Sequence, residues 1–246
     1  MDRSFRGAAK RLDDIDLPKL GHRLGVGEDE IHAFLDVETR GSGFDALGRP
    51  IILFEPHVFY RNLAGGLRDR AVKEGIAYKN WGAKPYPKDS YPRLRAAADI
   101  DETAALKAAS WGLAQVLGEN HKAAGFATVQ DMVRAMMADE ELQLEAAVNF
   151  ILTNKLDDEL RRHDWAGFAL GYNGKGYRQN GYDTKLAEAF AKWSRIKDTP
   201  WSPDAPAKPV PPIATPAPVP PSPPTTAPAP EPARGWLSRI LSWLFS

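Results

Sequence analysis

The 246 residues contain no cysteine, so neither a disulfide framework nor a thiolate metal site can be built. That absence leaves the compartment open. No charge of one sign prevails: Lys plus Arg and Asp plus Glu number 32 each, so no long-range field draws the whole chain to nucleic acid, and a nucleic-acid partner is not expected. There is no apolar run long enough to cross a bilayer. The first 19 residues mix Asp13, Asp14 and Asp16 with Arg3, Arg6 and Arg11 and lack an apolar stretch, so a Sec signal peptide is not expected either. His22, His32, His57, His121 and His163 show no paired metal-ligand spacing, and Gly171 to Gly176 follows no strand and carries no Gly-Lys-Ser/Thr. Metal and nucleotide are therefore not expected, nor any other cofactor.

Proline is scarce over most of the chain. Six prolines lie before residue 200, and the other 15 of the 21 lie from Pro200 to Pro232. Such a tract cannot make a regular ladder of hydrogen bonds and reads as an extended, disordered spacer. It divides the chain into a folded unit over 1–198, a linker over 199–234 and a short segment over 235–246. In that last segment a helix would place Trp236, Leu237, Ile240, Leu241, Trp243 and Leu244 on a broad apolar face, with Ser238, Arg239 and Ser242 opposite. About twelve residues at 1.5 Å rise fall short of a ~30 Å hydrocarbon core, so residues 236–245 are expected to lie in a membrane surface. The alternative is that they pack on the folded unit or on another copy.

What the folded unit does contain is 43% apolar and 26% charged residues over the whole chain, the composition of an ordinary globular protein. Apolar spacing of three and four predicts helices over 29–38, from Asp101 or Thr103 through Leu117, after a capping box at Thr128–Asp131, and over 141–154 with Leu142, Ala146, Phe150 and Ile151 on one face. Asp164 and Asp183 open two more, the second ending near Trp193. Extended signal is confined to Arg49–Phe54, with a short partner near Phe44 among Gly41, Gly43 and Gly48. The expected fold is mainly α, a helical domain with a small β-hairpin. No internal repeat is present.

One acid stands out. Ile31, Phe34, Leu35 and Glu38 fall at i, i+3, i+4 and i+7, so a helix puts the Glu38 carboxyl on its apolar stripe, just before Gly41 and Gly43 break it. Apolar surroundings disfavour a carboxylate anion, which is what a general acid for a glycosidic oxygen requires near neutral pH. The plain alternative is a Glu that reaches solvent or pairs with Arg40. Asp36 points the other way on the helix and is expected to be solvated.

Phe34-Leu-Asp-Val-Glu-Thr-Arg-Gly-Ser-Gly-Phe-Asp45, followed by Ile52-Leu-Phe-Glu-Pro-His-Val-Phe-Tyr60, resembles the opening of the N-acetylmuramidase domain of endolysins from phages and prophages of Gram-negative bacteria. Ser110-Trp-Gly-Leu-Ala-Gln115 resembles that family's Ser-Trp-Gly-x-x-Gln segment. Tyr172-Asn-Gly-Lys-Gly-Tyr177 resembles its Tyr-Asn-Gly-x-x-Tyr segment, so the likeness covers roughly residues 10–193. Pro56 departs from the pattern, standing where many relatives have a basic residue. The motif order is also similar to that of goose-type lysozymes and soluble lytic transglycosylases.

The resemblance implies a lysozyme-like α+β fold and cleavage of the β-1,4 bond between N-acetylmuramic acid and N-acetylglucosamine in peptidoglycan, at the bacterial cell wall. It implies Glu38 as general acid, Ser110 and Gln115 lining the cleft, and Tyr172 and Asn173 near the carboxyl or the N-acetyl group. Gln and Asn suit acetamido sugars because each both donates and accepts, and Tyr offers a flat face and a hydroxyl. Tyr177 fits core packing equally well. A second carboxylate would be Asp45, on the turn after Gly43, or Glu55, on the following strand; His57 beside Glu55 reads better as a structural histidine. Two alternatives stay open: a transglycosylase forming 1,6-anhydro products, and a wall-binding domain without catalysis, tethered to a membrane.

Overall fold

The computed structural model describes residues 1–39 and 41–204. Twelve helices and three short strands follow one another among these residues. Helices α1 (Asp16–Leu24) and α2 (Glu28–Glu38) precede strand β1 (Ile52–Phe54). Helices α3 (Pro56–Asn62), α4 (Gly65–Lys73), α5 (Tyr91–Ala98) and α6 (Glu102–Lys107) lead to β2 (Ala109–Trp111) and β3 (Val116–Leu117). The remainder is helical: α7 (Val129–Ala138), α8 (Glu140–Thr153), α9 (Asp157–Arg161), α10 (Trp165–Asn173), α11 (Tyr177–Asn180) and α12 (Tyr182–Trp193). This is a mostly helical, lysozyme-like α+β fold. The linker over 199–234 lies outside the described residues beyond Asp204, as does the whole of 235–246.

Side chains that bind the free amides of the first turn start these helices where they are. Asp101, Asp139 and Asp164 accept from Ala104, Glu141 and Gly167, and the Thr128 hydroxyl accepts from Asp131 at 3.1 Å. α2 begins at Gly27, whose N–H donates to Glu30 three residues on. The helix expected from Asp183 to near Trp193 is present as α12, with Asp183 in its first turn; Gly181, at φ 60°, precedes it and lets the chain reverse out of α11.

The helix expected through Leu117 stops at Lys107. β2 instead pairs antiparallel with both β1 and β3, Leu53 opposite Ser110 and Ser110 opposite Leu117, in a sheet ordered β1-β2-β3. The apolar residues that read as one helical face are divided between a helix and two strands, separated by Gly112 at φ 69° and Gln115 at φ 51°. The hairpin partner expected near Phe44 amounts to a single bridge to Pro50.

α2 is the central helix of one half, flanked by α1 and α12, with α10 behind α12. α5 and α6 support the sheet in the other half, α7 packs on α6, and α8 packs on both α1 and α7. Asp36 is not merely solvated: it accepts from Lys192 Nζ at 3.0 Å and from the Trp193 indole N–H at 2.9 Å, while His32 stacks on Trp193 at 3.8 Å. α12 is thereby fastened along α2. The α8 face is centred on Glu140, Gln143, Leu144, Ala147 and Phe150 rather than on Leu142, which is half-buried. Two polar groups thus occupy core positions on α8.

Candidate active site

Glu38 is the last residue of α2, on the stripe that buries Ile31 and Phe34, and is itself 8% exposed. Thr39 turns to extended geometry and ends the helix. A second helix ends at the same place. α10 finishes at Asn173, where Gly174 at φ 71° releases the chain, and Asn173 Nδ2 donates to Glu38 Oε1 at 3.1 Å. Beside it Tyr172 is held edge-on to Phe34 at 5.2 Å and to Phe150 at 5.9 Å, and stacked on Phe168 at 5.5 Å. Burial, and then the charge of Glu38, push the Tyr172 hydroxyl well above its usual range, so Tyr172 stays a neutral phenol next to the acid. Sequence spacing over 135 residues does not show that two helix ends meet; the aromatic packing that makes them meet is long-range.

The segment after Glu38 is bonded into the sheet. Ile51 N donates to Gly43 O at 2.8 Å, and Gly112 N donates to Ile51 O at 2.8 Å. The turn over 41–43, the start of β1 and the turn over 112–115 therefore form one hydrogen-bonded strip. Gln115 Nε2 is fixed on Ile51 O at 3.0 Å and Gly112 O at 2.7 Å. Ser110 Oγ, Gln115 Oε1 and Asn173 Oδ1 are buried with no hydrogen-bond partner among the described residues. Unsatisfied buried polar atoms are costly, so these three leave hydrogen-bonding capacity unused in the structure.

Arg11, Glu140 and Gln143 brace this strip, and the sequence reading missed all three. Glu140 Oε1 accepts from Gly43 N at 2.7 Å and its other oxygen from Leu12 N at 3.1 Å; Arg11 reaches both Glu140 and the Ser42 hydroxyl. Gln143, wholly buried, accepts from Leu113 N at 2.6 Å and donates to Met136 O at 2.8 Å and Gly43 O at 3.5 Å. The available signal was an acid and an amide, Glu140 and Gln143, at i and i+3 on an otherwise apolar helical face. A groove of about 410 Å³ adjoins the strip, lined by Leu35, Thr39, Gly41 and Leu113 among others.

Asp45 is engaged elsewhere. Its carboxylate accepts from Leu47 N, Arg49 N and the Arg49 guanidinium at 2.8, 3.0 and 2.7 Å. Partial burial alone would raise its pKa, but these bonds together hold the carboxyl below its usual range. Glu55 lies just past β1, at the start of α3, wholly buried beneath Tyr86, whose hydroxyl donates to it. Burial pushes the Glu55 carboxyl up to about 7, against the opposing Tyr86 bond and Arg61. Burial and Arg61 push His57 down to about 4, and it lies 3.4 Å from Glu55 with no hydrogen bond between them. Tyr177 is buried at the start of α11. Arg40, the other candidate partner for Glu38, lies outside the described residues. No cluster of three or more His, Asp or Glu that could hold a metal ion occurs among the described residues.

A sequence model of the N-acetylmuramidase family matches residues 28–194, from the first residue of α2 to just past α12, a span that contains every candidate above. The chain belongs to the N-acetylmuramidase family. A crystal structure of a Burkholderia AP3 phage endolysin is similar to this muramidase at 40% identity and a TM-score of 0.71, over 76% of this chain and 73% of that one. Comparison with curated proteins gave no match. This muramidase is a glycoside hydrolase acting on peptidoglycan, and the residues at the ends of α2 and α10 lie in the part of the chain that carries the family's sequence pattern.

Proposed function

We propose that this muramidase acts as an endolysin that hydrolyses the β-1,4 bond between N-acetylmuramic acid and N-acetylglucosamine, with Glu38 as general acid. The observation that carries the reading is the buried Glu38 carboxyl at the end of α2, oriented by Asn173 and walled by Tyr172. In its protonated form Glu38 donates to the glycosidic oxygen as the bond to the anomeric carbon breaks, and the resulting carboxylate then draws a proton from the attacking water. Asn173 fixes one carboxyl oxygen and so the direction of proton delivery. Ser110, Gln115 and the free oxygen of Asn173 bind the acetamido and hydroxyl groups of the sugars. Asp45, held by Arg49, keeps the turn in shape and takes no proton, so Glu38 serves as acid and then as base.

Glu38→Gln is expected to abolish release of fragments from purified sacculi while circular dichroism and Tm stay close to wild type. More than a few per cent of activity remaining would remove Glu38 from the mechanism. Mass spectrometry of the products separates the two chemistries: reducing ends are expected to dominate, and a majority of 1,6-anhydro ends, lighter by one water, would make the enzyme a transglycosylase. For residues 236–245, outside the described residues, the amphipathic pattern supports attachment to a membrane surface while the Pro-rich arm lets the enzyme reach the wall. Among the described residues no helix is long and apolar enough to cross a membrane. Nucleic acid has no place in this reading, since the chain as a whole carries no basic surplus.

A further inference from the structure

The charge balance of the whole chain hides a local imbalance. Residues 68–95 hold eight basic and three acidic side chains, and within the irregular loop over 78–90 Lys79, Lys84 and Lys88 are all exposed. The acid in that loop, Asp89, is taken by Arg49 at 3.5 Å. The same loop carries Trp81, 39% exposed, a large ring left in solvent.

The loop is fastened to the sheet. Tyr86 donates to the buried Glu55, Asp89 pairs with Arg49, and the Tyr91 hydroxyl donates to Pro50 O at 2.6 Å just beyond the loop. All three anchors lie in the segment over 45–55, whose Ile51 is bonded to Gly43 in the turn after Glu38. Glu55 is two residues beyond Leu53, the partner of Ser110 across the sheet, and extended alternation directs Glu55 to the face that carries Ser110. An exposed indole and three ammonium groups with no ion pair among the described residues are thus held against the segment that continues the strip after Glu38.

We propose that the loop over 78–90 is a recognition surface for the stem peptides of peptidoglycan, with Lys79, Lys84 and Lys88 taking the peptide carboxylates and Trp81 packing on the glycan beside them. The proposal rests on the muramidase reading and names which part of that substrate is read outside the bond cleaved. Charge complementarity favours this occupant: the glycan backbone is uncharged, whereas its stems carry free carboxylates, and ammonium groups attract them in a salt-dependent way. An indole face suits a pyranose ring.

The test compares intact sacculi with glycan strands stripped of stem peptides by an amidase and then coupled to methylamine at the lactyl carboxylates that the amidase frees, so that the strands are uncharged, using the full chain. Wild type is expected to have the higher kcat/KM on the intact substrate, with an advantage that shrinks as salt is added. The triple variant Lys79→Gln, Lys84→Gln, Lys88→Gln is expected to lose about tenfold in kcat/KM on intact sacculi, chiefly in KM, and little on stripped strands, since each exposed charge contact is modest but three act together. Trp81→Ala is expected to lower both rates. An equal loss on the two substrates by the triple variant, or no loss on either, overturns the proposal. Absence of wild-type activity on both would instead overturn the muramidase reading, and binding of the same variants to sacculi, by sedimentation, then tests the loop by itself: charge-dependent retention supports it and equal retention of all variants defeats it.

Discussion

Glu38 and Glu55 are both buried glutamates at the edges of regular elements, and what each touches separates them. Glu38 is met by Asn173 and Tyr172 at a junction of two helix ends, whereas Glu55 is sealed under Tyr86. Spacing drew attention to Glu38, because an acid on the stripe of Ile31 and Phe34 is visible in the sequence, and the family resemblance made it the candidate acid. The isolation of Glu55 was not legible, since it depends on a loop 31 residues away. The consequence for Glu55 concerns stability. With its carboxyl pushed up to about 7, the folded chain keeps a proton that the unfolded chain releases near 4.5, so stability falls as pH rises between these limits. The linkage is of the order of 3 kcal/mol at alkaline pH. Glu55→Gln keeps an acceptor for Tyr86 and cannot ionise. Its Tm is expected to match wild type near pH 4.5 and to exceed it by roughly 6–12 °C at pH 8; a difference that does not widen with pH would show that Glu55 is not held neutral. Comparison with wild type at each pH also cancels the opposite slope from His57, whose burial costs stability as pH falls.

At the scale of elements, local signals were read correctly where the cause is local. The caps at Thr128 and Asp164 and the stripe of α2 follow from hydrogen bonds and packing within a few residues. The helix expected over 101–117 failed because β1 claims Ala109–Trp111 as a strand partner, an interaction across more than fifty residues that periodicity does not report. The glycine turn shows both kinds of cause. Gly41, at φ 80°, has open space about it, so Gly41→Ala is opposed only by backbone conformation and should cost about 1–2 kcal/mol with most activity kept. Gly43 lacks that conformation, yet an added Cβ would lie 1.9 Å from Gln143 Oε1. Gly43→Ala must displace the amide that holds Leu113 N and Met136 O, leaving buried groups unpaired at roughly 1–3 kcal/mol each. It should therefore reduce kcat/KM on sacculi well beyond Gly41→Ala, in a protein that still unfolds cooperatively. If the two variants retain equal activity, Gln143 does not position the strip that carries Ser110 and Gln115.

Considered as a whole molecule, the chain divides its tasks along its length. The family match ends at residue 194, and the next residues still lie on the folded unit: Thr199 N donates to Glu28 at 2.6 Å and Trp201 lies 5.4 Å from His22, so the chain leaves the domain beside α1 and the start of α2. Neither contact involves the residues at the ends of α2 and α10 that make the candidate site. The arm that follows is therefore attached away from Glu38, and its Pro-rich composition favours an extended spacer that holds its two ends apart. A helix over 236–245 would set two tryptophans and four aliphatic residues on one side, a face with little to gain in water and much to gain at a lipid surface, where indole rings settle at headgroup depth. Deleting 235–246 is accordingly expected to leave hydrolysis of purified sacculi within twofold of wild type, because the cleft is intact, while lowering retention on liposomes and slowing lysis of intact cells. The lower liposome retention should persist in Glu38→Gln, since binding needs no chemistry. Equal liposome retention with and without the segment would defeat the membrane assignment, and a parallel loss of hydrolysis on sacculi would mean instead that the segment packs on the enzyme and supports its fold.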